Sequence, residues 1–588
     1  MRGVTGPVVS STLSRDEGTT PAPSKRVQPD KLVIAAQLRE IGALLSILGE
    51  NRFRARAYQR GAEALEGSKD ELGALIEARR LTSLSGIGPA LAAVIEELAR
   101  TGRADVLDEL RALSPPGMIE LSDVAGMTET RIRALHAALG ISSIAALKAA
   151  CEQGRVRTVK GFGAKTEARL LEAIADYERG DERLLLVDAL ALAEPLLSFV
   201  RLHDDVERAE IVGAIRRRME TIGDVDLLAS TRRPRAVLDH FVDALRVARV
   251  EEKTASHARV RLAGGARAKL HLVSPPTFAS ALVQHTGSRS HVEHLSTIAH
   301  EKKIDFASLT VDGEAEVYAR LGLPFIPPEL REDDGELEAA LGGESWDDLV
   351  TRQDVRGAVH CHTVFSDGKN TIEEMARGAE ELGLEYLTIT DHSPTAHYAG
   401  GVTLDRLKEQ WDEIARVQAS SKVKILRGTE SDILDDGALD YPDAILERFD
   451  VIIASVHSKM KMDAETMTRR LIRAMKQPVF KIWGHALGRL IQRRPPYACD
   501  VEAVLDAVAE SRAAIEVNGD PYRLDLPPPW IKRARLRKIP FVISTDAHSV
   551  KGMRSLAFGV SMARRGGLRK HEVLNTRSAD AFARAVHP

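Results

Sequence analysis

Apolar residues recur at three- and four-residue spacing from about residue 31 to 113, which predicts a run of amphipathic helices punctuated by glycine. Three stretches repeat one pattern: LSGIGPALAAVIEEL (84–98), VAGMTETRIRALHAALGI (124–141) and TVKGFGAKTEARLLEAI (158–174) each set a glycine turn between two helical segments. Glycine permits positive φ and close backbone approach there, and the helix that follows offers unpaired N–H groups to a phosphate. Gly86, Gly88, Gly161 and Gly163 are therefore candidate contacts to a nucleic-acid backbone, with no need to read its bases. Beyond residue 184 short strand-like runs (ERAEIVGAI, DVDLLAS, ARVRLAG, AKLHLVS) alternate with helices and predict an α+β domain. Residues 323–348, rich in proline, glycine and acid, read as a connector. After about residue 353, seven short β-rich runs are separated mostly by amphipathic helical stretches such as TIEEMARGAEELG, the pattern of a parallel βα barrel.

With 588 residues the chain is too long for one hydrophobic core. No apolar run approaches the roughly 18 residues that span a bilayer, and residues 1–28 read as a flexible polar leader without a signal-peptide core, so a cytoplasmic protein is expected. Cys151, Cys361 and Cys499 are too far apart for a disulfide framework or a thiolate zinc site, which leaves any metal to histidine and carboxylate. A net charge of −3 gives no general support for nucleic-acid binding. A local basic patch does exist at residues 51–60.

Each of the seven late runs ends in residues able to bind metal: His360, His362 and Asp367 in AVHCHTVFSD, His392 in LTITDHS, Glu430 in VKILRGTESD, His457 in VIIASVHS, His485 in FKIWGHA, Glu516 and Asn518 in AAIEVNGD, and Asp546 and His548 in FVISTDAHS. Barrel chemistry gathers at the C-terminal ends of strands. Side chains two apart on a strand share a face, so His360 with His362, and Asp546 with His548, are expected to grip one ion while Cys361 points away. Imidazole with carboxylate suits zinc, manganese or iron, and the ligands are too many for one tetrahedral ion. Two or three clustered ions doing phosphoester hydrolysis are expected. Glu516 and Asn518 are read either as supports for the ligands or as substrate contacts.

HCH followed by SDG, then TDHS, TE, SVHS, GHA and STDAH closely resembles the polymerase and histidinol phosphatase (PHP) family over residues 354–588. The resemblance implies that His360, His362, Asp367, His392, Glu430, His457, His485, Asp546 and His548 are the catalytic ligands of a trinuclear centre. Upstream, EIVGAIRRRMETIGDVDLLAS (210–230) places Asp224 and Asp226 two apart at the start of a strand, a pair of the kind that binds Mg2+ or Mn2+ for nucleotidyl transfer. With the helical hairpins, the RFRARAYQR patch, the HTGSR turn and the LGLPFIPPELRE segment, the chain resembles the family X DNA polymerases that carry a C-terminal PHP domain. This implies a multidomain fold: a flexible leader (1–28), a helical helix-hairpin-helix domain (29–115), a helical fingers-like region with two further hairpins (116–183), an α+β nucleotidyltransferase palm (184–275), a thumb (276–330), a linker (331–353) and a distorted (β/α)7 PHP barrel (354–588). Gly213, Arg216, Arg217, Gly287 and Ser288 would then contact nucleotide or DNA.

Departures from that pattern touch the nucleotide site first and the N-terminal hairpin second. Lys269 stands where the third catalytic carboxylate is expected, and exchanging −1 for +1 beside two cations costs on the order of 4 kcal/mol per unit charge at 4 Å. Ala214 replaces the motif's serine, Arg218 a glycine, and Gln284-His285 an aromatic pair, while Val94 occupies the place of the Schiff-base lysine, so no lyase activity is expected. Pro89 and Ala90 replace residues that are often polar or basic in such hairpins. The expected function is a monomeric DNA-repair enzyme acting on gapped or 3′-end DNA, with the PHP centre as a 3′–5′ exonuclease or 3′-end phosphoesterase and a degenerate palm. The alternatives are a gap-filling polymerase that still takes dNTPs, and a DNA-binding scaffold fused to a small-molecule phosphoesterase.

Overall fold

The computed structural model describes residues 31–588 apart from 69–71, 102–103, 115–117, 119–120, 122–123, 125, 180–182, 245–246 and 263–264; the leader expected over 1–28 lies outside the described residues. Two compact units divide after Leu171. The described residues of the first are helical and irregular, without strands. Helices Lys31–Ile47, Arg52–Gly67, Pro89–Thr101 and Asp105–Leu113 bury Leu38, Ile41, Leu65, Ile95 and Leu107 in one core. The three glycine turns share a left-handed residue, Gly86 at φ +97°, Gly126 at +88° and Gly161 at +94°, each just before a helix. A side chain there would be strained, which is why the repeat keeps glycine.

The second unit begins with a two-residue strand pair, β1 (Leu184–Leu185) with β3 (Thr221–Ile222), beside a five-stranded sheet. That sheet contains β2 (Val206–Ile211), β4 (Asp224–Thr231), β5 (Val247–Lys253), β6 (His257–Leu262) and β7 (Arg267–Val273) in the order β2-β4-β7-β6-β5, with only β4 and β7 parallel. β5 was not among the expected strands, because as an edge strand it is mostly exposed and its charged residues hide the alternation. Helices Phe278–Thr286, Arg289–Glu301 and Glu314–Arg320 form the thumb. Leu337, Ala340, Trp346 and Leu349 pack into the same thumb core, so the stretch expected as a linker over 331–353 is in large part folded, with helix Glu336–Leu341 at its centre.

The barrel follows, with β8 (Gly357–Ala358), β9 (Tyr386–Ile389), β10 (Lys424–Asp432), β11 (Val451–Ser455), β12 (Lys481–Trp483), β13 (Ala513–Asn518) and β14 (Phe541–Ser544) hydrogen-bonded in sequence order, all parallel. β9, β11, β12, β13 and β14 are buried at every position, as expected of parallel strands covered on both faces. A bridge between Cys361 and Ala547 nearly closes the ring. Asn575 ties the same seam, donating to Gly357 O and Ile543 O and accepting from Ile543 N. Helix Ala579–Val586 plugs the end away from the metal candidates, its Phe582 stacked on Tyr386 at 4.9 Å. Among the described residues no single helix is long and apolar enough to cross a membrane.

Candidate metal centre

The nine ligand candidates converge at the C-terminal mouth of the barrel, but the first pair arrives there by a different route from strand alternation. β8 ends at Ala358, so His360 and His362 lie in the loop beyond it, and Asp546 and His548 lie beyond β14. His360 (φ +66°), His485 (+25°) and Asp546 (+50°) adopt left-handed backbone that non-glycine residues avoid. Strain of this kind, held by the surrounding structure, is what aims these side chains at one point. Gly368 is required nearby, because a Cβ there would stand 2.5 Å from the carbonyl carbon and oxygen of His362.

Three overlapping groups could each hold a cation: His362, Asp367, His392 and His548; His360, His362, Glu430 and Asp546; and His392, Glu430 and His457. Glu430 is the hub, with Oε1 3.2 Å from His360 Nε2, 3.3 Å from His457 Nε2 and 2.9 Å from His485 Nε2, and Oε2 3.0 Å from His392 Nδ1. His360 Nε2, both nitrogens of His362, His392 Nδ1 and His485 Nδ1 are buried without a hydrogen-bond partner. Buried polar atoms are rarely left so, and all of these but His485 Nδ1 stand within 4 Å of Glu430, Asp546 or Asp367, which fits a divalent-metal site.

Supports behind the ligands complete the site. His360 Nδ1 donates to Glu516 Oε1 at 2.6 Å, Ser544 Oγ donates to the same oxygen at 2.5 Å, and Glu516 Oε2 accepts from His485 N and from Asn518 Nδ2. Glu516 thus orients a ligand, and Asn518 orients Glu516. Sequence reasoning missed Asp432, which accepts from His457 Nδ1 at 2.5 Å. It also missed Asp391, whose carboxylate takes Thr363 N, Thr363 Oγ1, Ser366 Oγ and Gln410 Nε2 and so fixes the loop bearing Asp367. Their place two residues after Glu430 and one before His392 was the available signal.

Burial pushes the His362 imidazole down to about 4, keeping it in the neutral form that binds metal. At His548 and His457 burial is outweighed by carboxylates: Asp367 and Asp546 hold the former at about 9, Glu430 and Asp432 the latter at about 10. Against burial, His457, His360 and His392 keep Glu430 well below the usual carboxylate range.

The palm is built differently. Asp224 and Asp226 share a face of β4 as expected, but β7 lays Arg267 and Lys269 in register against them. Arg267 Nε donates to Asp224 Oδ1 at 2.9 Å, and His271 Nε2 stands 3.9 Å from Asp226 Oδ1, with the His285 ring tilted against that of His271 at 4.2 Å between centroids. Burial lowers His285 to about 4. Among the described residues no third carboxylate or histidine joins the two acids in a metal-sized group, so this pair does not fit the two-cation site. Gly213, beside them, takes left-handed backbone at φ +64° that favours glycine, and a Cβ there would crowd the Asp226 carboxylate.

The expected nucleotide contacts have protein partners. Arg216 binds both oxygens of Glu314 at 2.8 and 2.6 Å as well as Thr286 Oγ1, and Arg217 binds Glu332 and Thr286 O. Ser288 caps helix Arg289–Glu301 by accepting from His291 N, and Gly287 sits just before it. In the first unit Gly86, Gly88, Gly161 and Gly163 are exposed. Arg52, Arg54, Arg56 and Arg60 are exposed on one helix, together with Phe53 at 78%.

Known families match in the same order. The helix-hairpin-helix domain matches residues 29–104, a SAM-like helix-hairpin-helix tandem 118–176, the DNA polymerase beta thumb 281–332 and the PHP domain 358–520. The DNA polymerase/3′-5′ exonuclease PolX of Bacillus subtilis is 32% identical over 555 residues, covering 92% of this chain and 96% of the relative. A probable phosphatase of Thermoanaerobacter sp. is 30% identical over 37% of this chain and 89% of its own length, and one of Caldanaerobacter subterraneus 36% identical over 28% and 62%. From a relative matched almost end to end, and from hairpin, thumb and PHP domains found in that order, the chain belongs to the family X DNA polymerases that carry a C-terminal PHP domain.

Proposed function

We propose that this chain trims DNA 3′ ends at the barrel mouth as a metal-dependent 3′–5′ exonuclease or 3′-end phosphoesterase, while its palm holds DNA without extending it. The observation that carries the reading is the contrast between the two sites: unpartnered imidazole nitrogens face Glu430 and Asp546 in the barrel, whereas Arg267 neutralises Asp224 in the palm. Hydrolysis at the barrel is supported by the relatives, a DNA polymerase/3′-5′ exonuclease along the whole chain and probable phosphatases along the barrel. Two or three ions of zinc, manganese or iron are the expected occupants, held by the nine ligands, and when bound they supply an activated water and positive charge for the phosphoryl oxygens. The protein orients His360 through Glu516 and His457 through Asp432. A water oxygen replaces the bridging 3′-oxygen on phosphorus, releasing a nucleoside 5′-monophosphate and leaving a 3′-hydroxyl. The exposed hairpin glycines and the Arg52–Arg60 face supply the grip on the DNA backbone.

Asp224 and Asp226 still share a face, which keeps gap filling by the palm as the second reading. The test is purified protein with manganese and a 5′-labelled gapped duplex, with and without dNTPs, alongside His360→Ala and Asp224→Ala. The expected result is primer shortening that persists in Asp224→Ala and is lost in His360→Ala. Shortening that survives in His360→Ala, or none at all, sinks the proposal, and lengthening lost only in Asp224→Ala establishes the polymerase.

A further inference from the structure

Two described side chains beside the ligand cluster, Arg523 and Tyr398, are neither ligand candidates nor supports of one. Arg523, in the loop between β13 and helix Pro528–Leu536, places Nε 3.3 Å from Asp546 Oδ2 with its side chain only 18% exposed. Its Nη1 is buried and has no hydrogen-bond partner. A guanidinium presents donors in a fixed plane that matches a phosphate, so a buried, unpaired donor beside a metal-ligand candidate is placed to receive one. Tyr398 is 70% exposed although its ring lies 6.0 Å from the His392 ring and 6.2 Å from the His457 ring. An aromatic ring this open contributes little to the core. Arg523 and Tyr398 thus both border the ligand cluster, one at Asp546 and the other at His392 and His457.

A small phosphoester needs a phosphate grip and nothing more. A polynucleotide end brings a base beside its phosphate, and base stacking on an exposed aromatic ring is the sequence-tolerant way to hold it. We propose that Arg523 grips the scissile phosphate and Tyr398 stacks the 3′-terminal base, so that this mouth selects polynucleotide 3′ ends over small phosphoesters. The proposal rests on the reading of the barrel as a phosphoesterase. Both residues would touch the substrate, and neither would hold a cation.

The experiment measures kcat and KM in manganese on a 5′-labelled single-stranded oligonucleotide and on bis(p-nitrophenyl) phosphate, for the wild type, Tyr398→Ala, Tyr398→Phe, Arg523→Gln and Arg523→Lys. Bound manganese and thermal midpoint are recorded for each. Tyr398→Ala is expected to raise KM for the oligonucleotide about tenfold, lowering its kcat/KM relative to the small diester, while Tyr398→Phe keeps the wild-type ratio. Arg523→Gln is expected to lower kcat/KM on both substrates by at least about tenfold at unchanged manganese content, with partial rescue by Arg523→Lys. An equal loss on both substrates in Tyr398→Ala, or an Arg523→Gln defect explained by lost manganese, overturns the assignment. Hydrolysis of the diester but not the oligonucleotide by the wild type overturns it while leaving the phosphoesterase reading intact. Hydrolysis of neither overturns the phosphoesterase reading itself.

Discussion

At the scale of single residues, the site divides into side chains with a sequence signal and side chains without one. Histidines and acids at the ends of β-rich runs mark themselves, because imidazole and carboxylate at that spacing have few other uses. Glu516 was visible only as a residue of uncertain role, since its bond to His360 crosses 156 positions of sequence. Arg523 and Tyr398 belong to no motif, and only the fold shows one with a buried free donor and the other with a bare ring. The role of Glu516 is testable alone. Glu516→Gln removes the charge that orients His360 and is expected to lower metal content or nuclease activity by roughly 10- to 100-fold, read by elemental analysis of the purified variant and by oligonucleotide hydrolysis. Wild-type values for both would leave Glu516 a passive part of the core.

At the scale of elements, the barrel was legible as seven runs because its strands are short, apolar and followed by ligands. The side chain that ties its seam was not, since a contact between the first and last strands has no local pattern. Asn575 serves three backbone groups at that seam. Asn575→Leu is expected to lower unfolding stability by at least about 2 kcal/mol, because buried backbone groups lose their partners, and chemical denaturation measures it. The thumb carries a second buried device that its charged, linker-like sequence concealed. His291 Nδ1 donates to Glu336 Oε1 at 2.6 Å, and His291 Nε2 meets the Tyr318 hydroxyl at 3.0 Å. Burial lowers His291 despite Glu336, and against burial Glu336 is lowered by His291 and by backbone donors. Both folded values lie below the unfolded ones, so the unfolded chain binds more protons and acid destabilises the fold. The contribution of His291 is present above its unfolded value near 6.5 and is lost as pH falls below it, with that of Glu336 lost at lower pH. A thermal-shift series from pH 8 to 5 is expected to show a falling midpoint, with a shallower fall in His291→Gln.

At the scale of the whole molecule, the palm, thumb and barrel belong to one compact unit; Arg489 of the barrel pairs with both oxygens of Glu220 in the palm, and Arg564 of the barrel with Glu329 in the thumb. The domain order was legible from motifs, and so was the palm's departure at Lys269. The second cation was not: Arg267 occupies Asp224 from the strand position two before Lys269, a contact that only the parallel register of β4 and β7 reveals. This separates two accounts of the palm. Were Lys269 the sole obstacle to a cation here, Lys269→Asp would supply a carboxylate and relieve a repulsion on the order of 4 kcal/mol per unit charge at 4 Å and an effective dielectric of about 20, enough to build a cation site. With Asp224 already committed to Arg267, the single change leaves that acid paired. Lys269→Asp is therefore expected to give no magnesium-dependent primer extension in a His360→Ala background, where trimming cannot mask synthesis. Adding Arg267→Ala frees Asp224 and is expected to raise magnesium binding by calorimetry before any extension appears, because Ala214 still lacks a hydroxyl and Arg216 stays paired with Glu314. Extension by Lys269→Asp alone would mean that the Arg267 pair opens readily and that one substitution separates this palm from a working polymerase.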